Sequence, residues 1–148
     1  MLVFLLGLSA FPMNPSEVLL IEDNAGDALL VGQALAEGRV PVHLHIARDG
    51  EQALQILKQA DFIPDLIILD LNLPKISGHS VLASCVKATA VVVFSASVDG
   101  EDEARVMLLG AKEFVQKPLD LKDYRVAVCR MVRKWGAAAD NGAGVLVE

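Results

Sequence analysis

From Val18 onward, short apolar runs of strand length alternate with longer stretches whose apolar residues recur at helical spacing. This alternation predicts an α/β domain built on a parallel sheet, since each strand is followed by enough chain to cross back as a helix. Residues 18–21, 42–47, 66–69, 91–94 and 114–116 read as strands, and 28–37, 51–59, 80–86, 101–109 and 121–135 as helices, a β-α unit repeated five times. The run 66–69 (LIIL) is uninterrupted, as expected of a central strand covered on both faces. In 42–47, Val42, Leu44 and Ile46 alternate with His43 and His45, which predicts an edge strand with one wetter face. The first helix offers Leu29, Leu30, Val31 and Leu35 for burial, with Asn24 or Asp27 as its cap. The second offers Ala53, Leu54 and Leu57, and the last carries Leu121, Tyr124, Val128, Met131 and Trp135 along one stripe. Gly110 stands where a helix end favours a left-handed residue.

A chain of 148 residues fits one domain of ordinary size, and 53% hydrophobic against 22% charged residues describes a sequence able to bury a core. The expected division is an apolar extension at 1–13, a folded unit at 14–135 and a small-residue tail at 136–148 (GAAADNGAGVLVE). The run 1–11 (MLVFLLGLSAF) is too short to span a bilayer, and no Lys or Arg precedes it as in a signal peptide. Translation starting at Met13 would make 1–12 an upstream extension; a docking or anchoring segment is the alternative. A net charge of −6 provides no broad cationic field for a nucleic-acid backbone. Cys85 and Cys129 lie far apart in apolar stretches without metal-type spacing, and read as reduced core thiols of a cytoplasmic protein.

In an open α/β sheet, ligands gather at the carboxyl ends of the strands. The strand exits place Glu22 and Asp23 after the first, Asp70 after the third, Ser95 after the fourth and Lys117 near the end of the fifth. Each residue alone has an ordinary explanation: acidic residues favour a helix start, Asp70 fits a turn before Pro74, Ser95 fits a cap, and Lys117 a solvated lysine. Their shared position makes them one candidate site. Carboxylates gathered there repel one another by roughly 3 kcal/mol per pair at ~5 Å with an effective dielectric of ~20, which calls for a cation. Hard oxygen donors with no Cys or His beside them suit Mg²⁺, while a lysine and a hydroxyl would engage phosphoryl oxygens. Positioning and charge neutralisation are what phosphoryl transfer requires.

The segments LLIEDN, LIILDLNLP, VVVFSAS and FVQKP, in this order on the expected strands, resemble the receiver domains of response regulators, whose simplest member is the bacterial chemotaxis regulator. The resemblance covers residues 16–135. It implies a doubly wound, flavodoxin-like (βα)5 fold with a five-stranded parallel sheet in the order 2-1-3-4-5. It implies Asp70 as phosphoacceptor, and Mg²⁺ held by Asp23, Asp70 and the Asn72 carbonyl with Glu22 acting through water. It further implies Lys117 on a phosphoryl oxygen, Ser95 and Phe114 as a switch pair, and Asn72 and Ser97 as residues that tune dephosphorylation. The small Ala96 leaves a path to Asp70. A cis bond is expected between Lys117 and Pro118. Glu22 is longer than the aspartate often found there, Phe114 lacks a tyrosine hydroxyl, and the stretch 77–91 looks shorter than usual, trimming the third helix and its exit loop.

IEDN followed by alanine, and LDLNLPK, look similar to the short regulators that pair with phytochrome-type histidine kinases. A sensor histidine kinase is therefore the expected phosphodonor, an unnamed protein the reader, and the chain no turnover enzyme. Acidic Glu101, Asp102 and Glu103 and basic Arg125, Arg130, Arg133 and Lys134 could pair across a homodimer formed by the fourth helix, fifth strand and fifth helix, or be merely solvated. Apolar burial would then come from 106–109, Trp135 and 145–147. A Mg²⁺-dependent phosphatase of the aspartyl-phosphate type is a rival, but such enzymes usually place a second aspartate where Asn72 stands. A module signalling without phosphate is the other rival. His43, His45 and His79 share no metal spacing and read as solvated.

Overall fold

In the computed structural model, residues 14–85, 89–96 and 99–137 are described. Five strands, β1 (Ser16–Ile21), β2 (Val42–Ala47), β3 (Leu66–Leu69), β4 (Ala90–Ser95) and β5 (Glu113–Gln116), form one sheet in the order β2-β1-β3-β4-β5. All the pairings are parallel. The helices are α1 (Ala25–Glu37), α2 (Gly50–Leu57), α3 (Gly78–Cys85), α4 (Gly100–Leu108) and α5 (Leu121–Trp135). The flavodoxin-like (βα)5 architecture is as expected.

Strand alternation divides the core in two. Val18, Leu20, Leu66, Ile68, Val92 and Phe94 face α1 and α5, while Leu19, Ile21, Ile67, Leu69, Val91 and Val93 face α2, α3 and α4. Both faces of β1, β3 and β4 are therefore buried, which is why these strands are continuous apolar runs. Cys85 and Cys129 are free, buried thiols, and burial pushes both upward, Cys85 to about 11.

Local polar groups set the helix starts. Asn24, Asp49, Asp99 and Asp120 each accept a hydrogen bond from an amide in the first turn, so four helices begin at a capping side chain. At the end of α4, Gly110 (φ 108°) donates to Met107 O and Ala111 to Val106 O, the paired bonds of a Schellman motif. Arg39 (φ 54°) does the same after α1.

Several expectations are corrected. Asn24, not Asp27, caps α1. Leu29 is exposed, because α1 buries the stripe Ala28, Val31, Ala34 and Leu35 against α5, and Leu29 falls off it. β2 is an edge strand, but only Val42 and Leu44 of its apolar set pack on the core; Ile46 stays exposed. Leu121 is likewise exposed, and Cys129 and Val132 complete the α5 stripe instead. Gly136 and Ala137, assigned to the tail, are held against β1: the Ala137 amide donates to Ser16 Oγ at 2.9 Å. The expectation of a short third helix holds, with α3 at eight residues. No peptide bond among the described residues is cis, so Lys117–Pro118 is trans; trans is the favoured isomer by roughly 0.5–1 kcal/mol, and Lys117 reaches Asp70 without the rarer one. Residues 1–13, 97–98 and 138–148, and the exit of α3 at 86–88, lie outside the described residues.

Candidate phosphorylation site

The sheet order reverses direction at β1 and β3, and the crevice beyond their carboxyl ends is where such sheets hold ligands. One more rung of the ladder anchors each residue that faces this crevice. The Glu22 amide donates to Ala47 O at 2.9 Å, Asp70 to Ile21 O at 3.0 Å, and Lys117 to Ser95 O at 2.8 Å. Their backbones are thus held by the sheet while their side chains project past its edge.

The side chains converge. Glu22, Asp70, Ser95 and Lys117 are all buried, and Asp23 is exposed at the mouth. The Lys117 ammonium donates to Glu22 Oε1 at 2.6 Å, Asp27 Oδ2 at 2.8 Å and Asp70 Oδ2 at 2.9 Å. Asp70 Oδ1 accepts from the Asn72 amide at 3.0 Å and from Ser95 Oγ at 3.4 Å. Glu22 Oε2 accepts from the Asn24 amide at 3.1 Å. Burial pushes the Glu22 carboxyl up to about 7, and the Asp70 charge adds to this against the pull of Lys117. Burial works against the charge on Lys117, yet the three carboxylates outweigh it and hold the ammonium above its usual range.

Oxygens of Glu22, Asp23 and Asp70 lie within 4.8 Å of one another. Three hard donors, one open to solvent, fit a divalent cation that keeps part of its water shell. On the other side of the sheet end, Ser95 sits two residues beyond Val93, which pairs with Phe114. Ser95 and Phe114 therefore share the sheet face covered by α4, and Phe114 packs against the same core cluster as Val106.

The loop from Asp70 to α3 is tightly folded. Ile76 N donates to Pro74 O at 2.8 Å across Lys75, whose φ is 67°, and Gly78 passes so close that a Cβ there would lie 2.6 Å from Leu71 Cα and 2.9 Å from Asp70 O.

Glu22, Asp23, Asp70, Asn72, Ser95 and Lys117 lie at this sheet edge, Phe114 lies inside β5, and Ser97 is outside the described residues. Sequence reading missed Asp27, assigned only as a cap alternative. Its partner Lys117 is 90 residues away, and the only local signal was a carboxylate one turn into the helix that follows Glu22 and Asp23.

A five-stranded doubly wound sheet with this edge defines a receiver domain, and residues 18–128 match the response regulator receiver domain family, to which the chain belongs. Among its relatives, the response regulator Rcp1 of Synechocystis sp. is 35% identical over 119 residues, 74% of this chain and 81% of Rcp1. The probable methanogenesis regulatory protein FilR2 of Methanothrix harundinacea is 30% identical over 131 residues, 82% of this chain and 84% of FilR2. The phosphorylated cyanobacterial phytochrome response regulator RcpA superposes with a TM-score of 0.77 at 33% identity, over 82% of this chain and 94% of RcpA. Rcp1 in its Mn²⁺-bound form superposes with a TM-score of 0.74 at 32% identity, over 82% and 94% of the two chains. The family assigns the chain to phosphorylation-dependent signalling.

Proposed function

We propose that Asp70 accepts a phosphoryl group from the phosphohistidine of a sensor histidine kinase of the phytochrome type, in a Mg²⁺-dependent reaction in the cytoplasm. The supporting observation is the Lys117 ammonium, 2.9 Å from Asp70 in a pocket whose other charged groups are carboxylates. A buried cation beside a buried carboxylate at the end of a central strand stabilises charge that develops on an incoming phosphoryl group. An Asp70 oxygen forms the new O–P bond as the P–N bond to the kinase histidine breaks, and the imidazole nitrogen takes a proton from solvent. Lys117 turns an N–H toward a phosphoryl oxygen, and the Ser95 hydroxyl donates to another.

Asp23, Asp70 and the Asn72 carbonyl would hold Mg²⁺, with Glu22 acting through water; the ion adds positive charge where carboxylates and phosphate meet. Asn72 and Ser97 tune hydrolysis of the acyl phosphate. Ser95 and Phe114 carry the change to the surface of α4, β5 and α5, where a downstream protein or a second copy of the chain docks. Residues 14–135 form the receiver unit, which acts on no external substrate. RcpA, a phytochrome response regulator by name and 33% identical to this chain, supports the choice of kinase class.

Incubation with acetyl phosphate and Mg²⁺, followed by intact-mass measurement, tests this reading. Wild type gains one phosphoryl group, and both Asp70→Asn and chelation abolish the gain. Equal labelling of wild type and Asp70→Asn contradicts it.

A further inference from the structure

We propose that Asp27 is a positioning residue for phosphoryl transfer, tethering the Lys117 ammonium in the pocket as Asp70 passes between carboxylate and acyl phosphate; this rests on the reading of Asp70 above.

An ammonium has three N–H donors, and all three are engaged here, by Glu22 at 2.6 Å, Asp27 at 2.8 Å and Asp70 at 2.9 Å. Two of those acceptors change during the reaction. Asp70 becomes an acyl phosphate and its negative charge moves out to the phosphoryl oxygens, and Glu22 faces the carboxylate cluster where a cation competes for its charge. Asp27 stands outside that cluster, on the first turn of α1, where the Asn24 cap fixes its backbone: its amide donates to Asn24 Oδ1 at 2.9 Å. It is the one partner of Lys117 whose own charge and position the reaction leaves alone. The tether therefore aims the ammonium at phosphoryl oxygens both when the group arrives and when it leaves.

The two steps share this demand. In formation, an Asp70 oxygen bonds to phosphorus as the P–O bond of acetyl phosphate breaks and acetate departs. In hydrolysis, a water oxygen bonds to phosphorus, the Asp70 O–P bond breaks to regenerate the carboxylate, and inorganic phosphate leaves with the water's protons. Negative charge on the equatorial oxygens is neutralised by the same ammonium in both. Loss of the tether slows both. Loss of a mere repulsive charge would instead speed formation, because acetyl phosphate is an anion.

The test measures labelling by acetyl phosphate with Mg²⁺, and decay of the label after donor removal, in wild type, Asp27→Ala and Asp27→Asn, with thermal unfolding of each. Asp27→Ala is expected to slow both rates about tenfold, the scale of one charge-assisted hydrogen bond. Asp27→Asn, which keeps an acceptor oxygen at the same place, recovers most of the loss in both. Unchanged or faster formation in Asp27→Ala overturns the tether, as does a rate loss that merely follows a fall in unfolding temperature without rescue by Asn. Absence of label on wild type overturns the reading of Asp70, and the tether with it.

Discussion

Lys117 and Gly78 bear the heaviest constraints at the scale of single residues. Lys117 is buried among three carboxylates, and its removal leaves like charges facing each other away from water. Loss of one partner of a buried ion pair costs about 3 kcal/mol or more. Lys117→Ala is therefore expected to lose about that much stability in denaturant unfolding with a chelator present, and to regain more of it from added Mg²⁺ than wild type does. An unchanged midpoint would show that the ammonium is not the counter-charge of this pocket. Gly78 lets the chain pass over Leu71 and the Asp70 carbonyl at distances no Cβ tolerates. Gly78→Ala should cost about 2 kcal/mol by overpacking and slow acetyl phosphate labelling, since the clash pushes directly on the Asp70 backbone. Asp70, Lys117, Glu22, Asp23 and Ser95 were legible in the sequence because each stands at the exit of a run whose length and alternation with helical stretches read as a strand. Asp27 was not, because a contact across 90 residues leaves no trace in local spacing.

At the scale of elements, β5 and α5 are joined by Glu113, which accepts from Arg130 Nη2 at 2.9 Å and from Trp135 Nε1 at 3.0 Å. Partial burial pushes the Glu113 carboxyl up, but the hydrogen bonds from Arg130 and Trp135 and the nearby Lys134 outweigh it and hold the group below its usual range. A depressed folded value means the stabilisation is present above the ordinary carboxylate range and is lost as pH falls through the folded value. Urea unfolding of wild type and Glu113→Gln should differ by about 1 kcal/mol near neutral pH, and the gap should close as pH falls below the ordinary carboxylate range. A gap that persists at low pH would assign it to packing instead. Most element boundaries were readable because period 2 and period 3.6 patterns stop at turn residues; β2, β3 and α5 have the predicted limits. The other helices start one to three residues early where measured against that reading, because capping, not periodicity, fixes the first turn. The exposure of Leu29 and Ile46 was unreadable for a different reason: apolar character says that a residue can be buried, while only the packed neighbours say whether it is.

For the whole molecule, the basic face of α5 gives little drive for self-association. Arg125 pairs with Glu37, Arg130 and Lys134 with Glu113, and Arg133 donates to Gly38 O. Of the apolar candidates, Val106 is buried, whereas Met107 and Leu108 are exposed, as are Leu119 and Leu121 beside β5 and α5, which were not among them. A phosphorylation-dependent dimer through α4, β5 and α5 would therefore rest on these apolar side chains, and sedimentation of the beryllofluoride-treated protein should lose any dimer in Leu108→Glu but keep it in Arg130→Glu. The reverse pattern would restore charge pairing as the basis. All of this output depends on one chemical event at the crevice between β1 and β3. The most direct measurement of it is residue-level mapping: treatment with acetyl phosphate and Mg²⁺, reduction of the acyl phosphate with borohydride, and peptide mass analysis. The prediction is a reduced side chain at Asp70 and at no other carboxylate, abolished by chelation; reduction at Asp23 or Glu22, or at no site while the intact protein carries label, would contradict it.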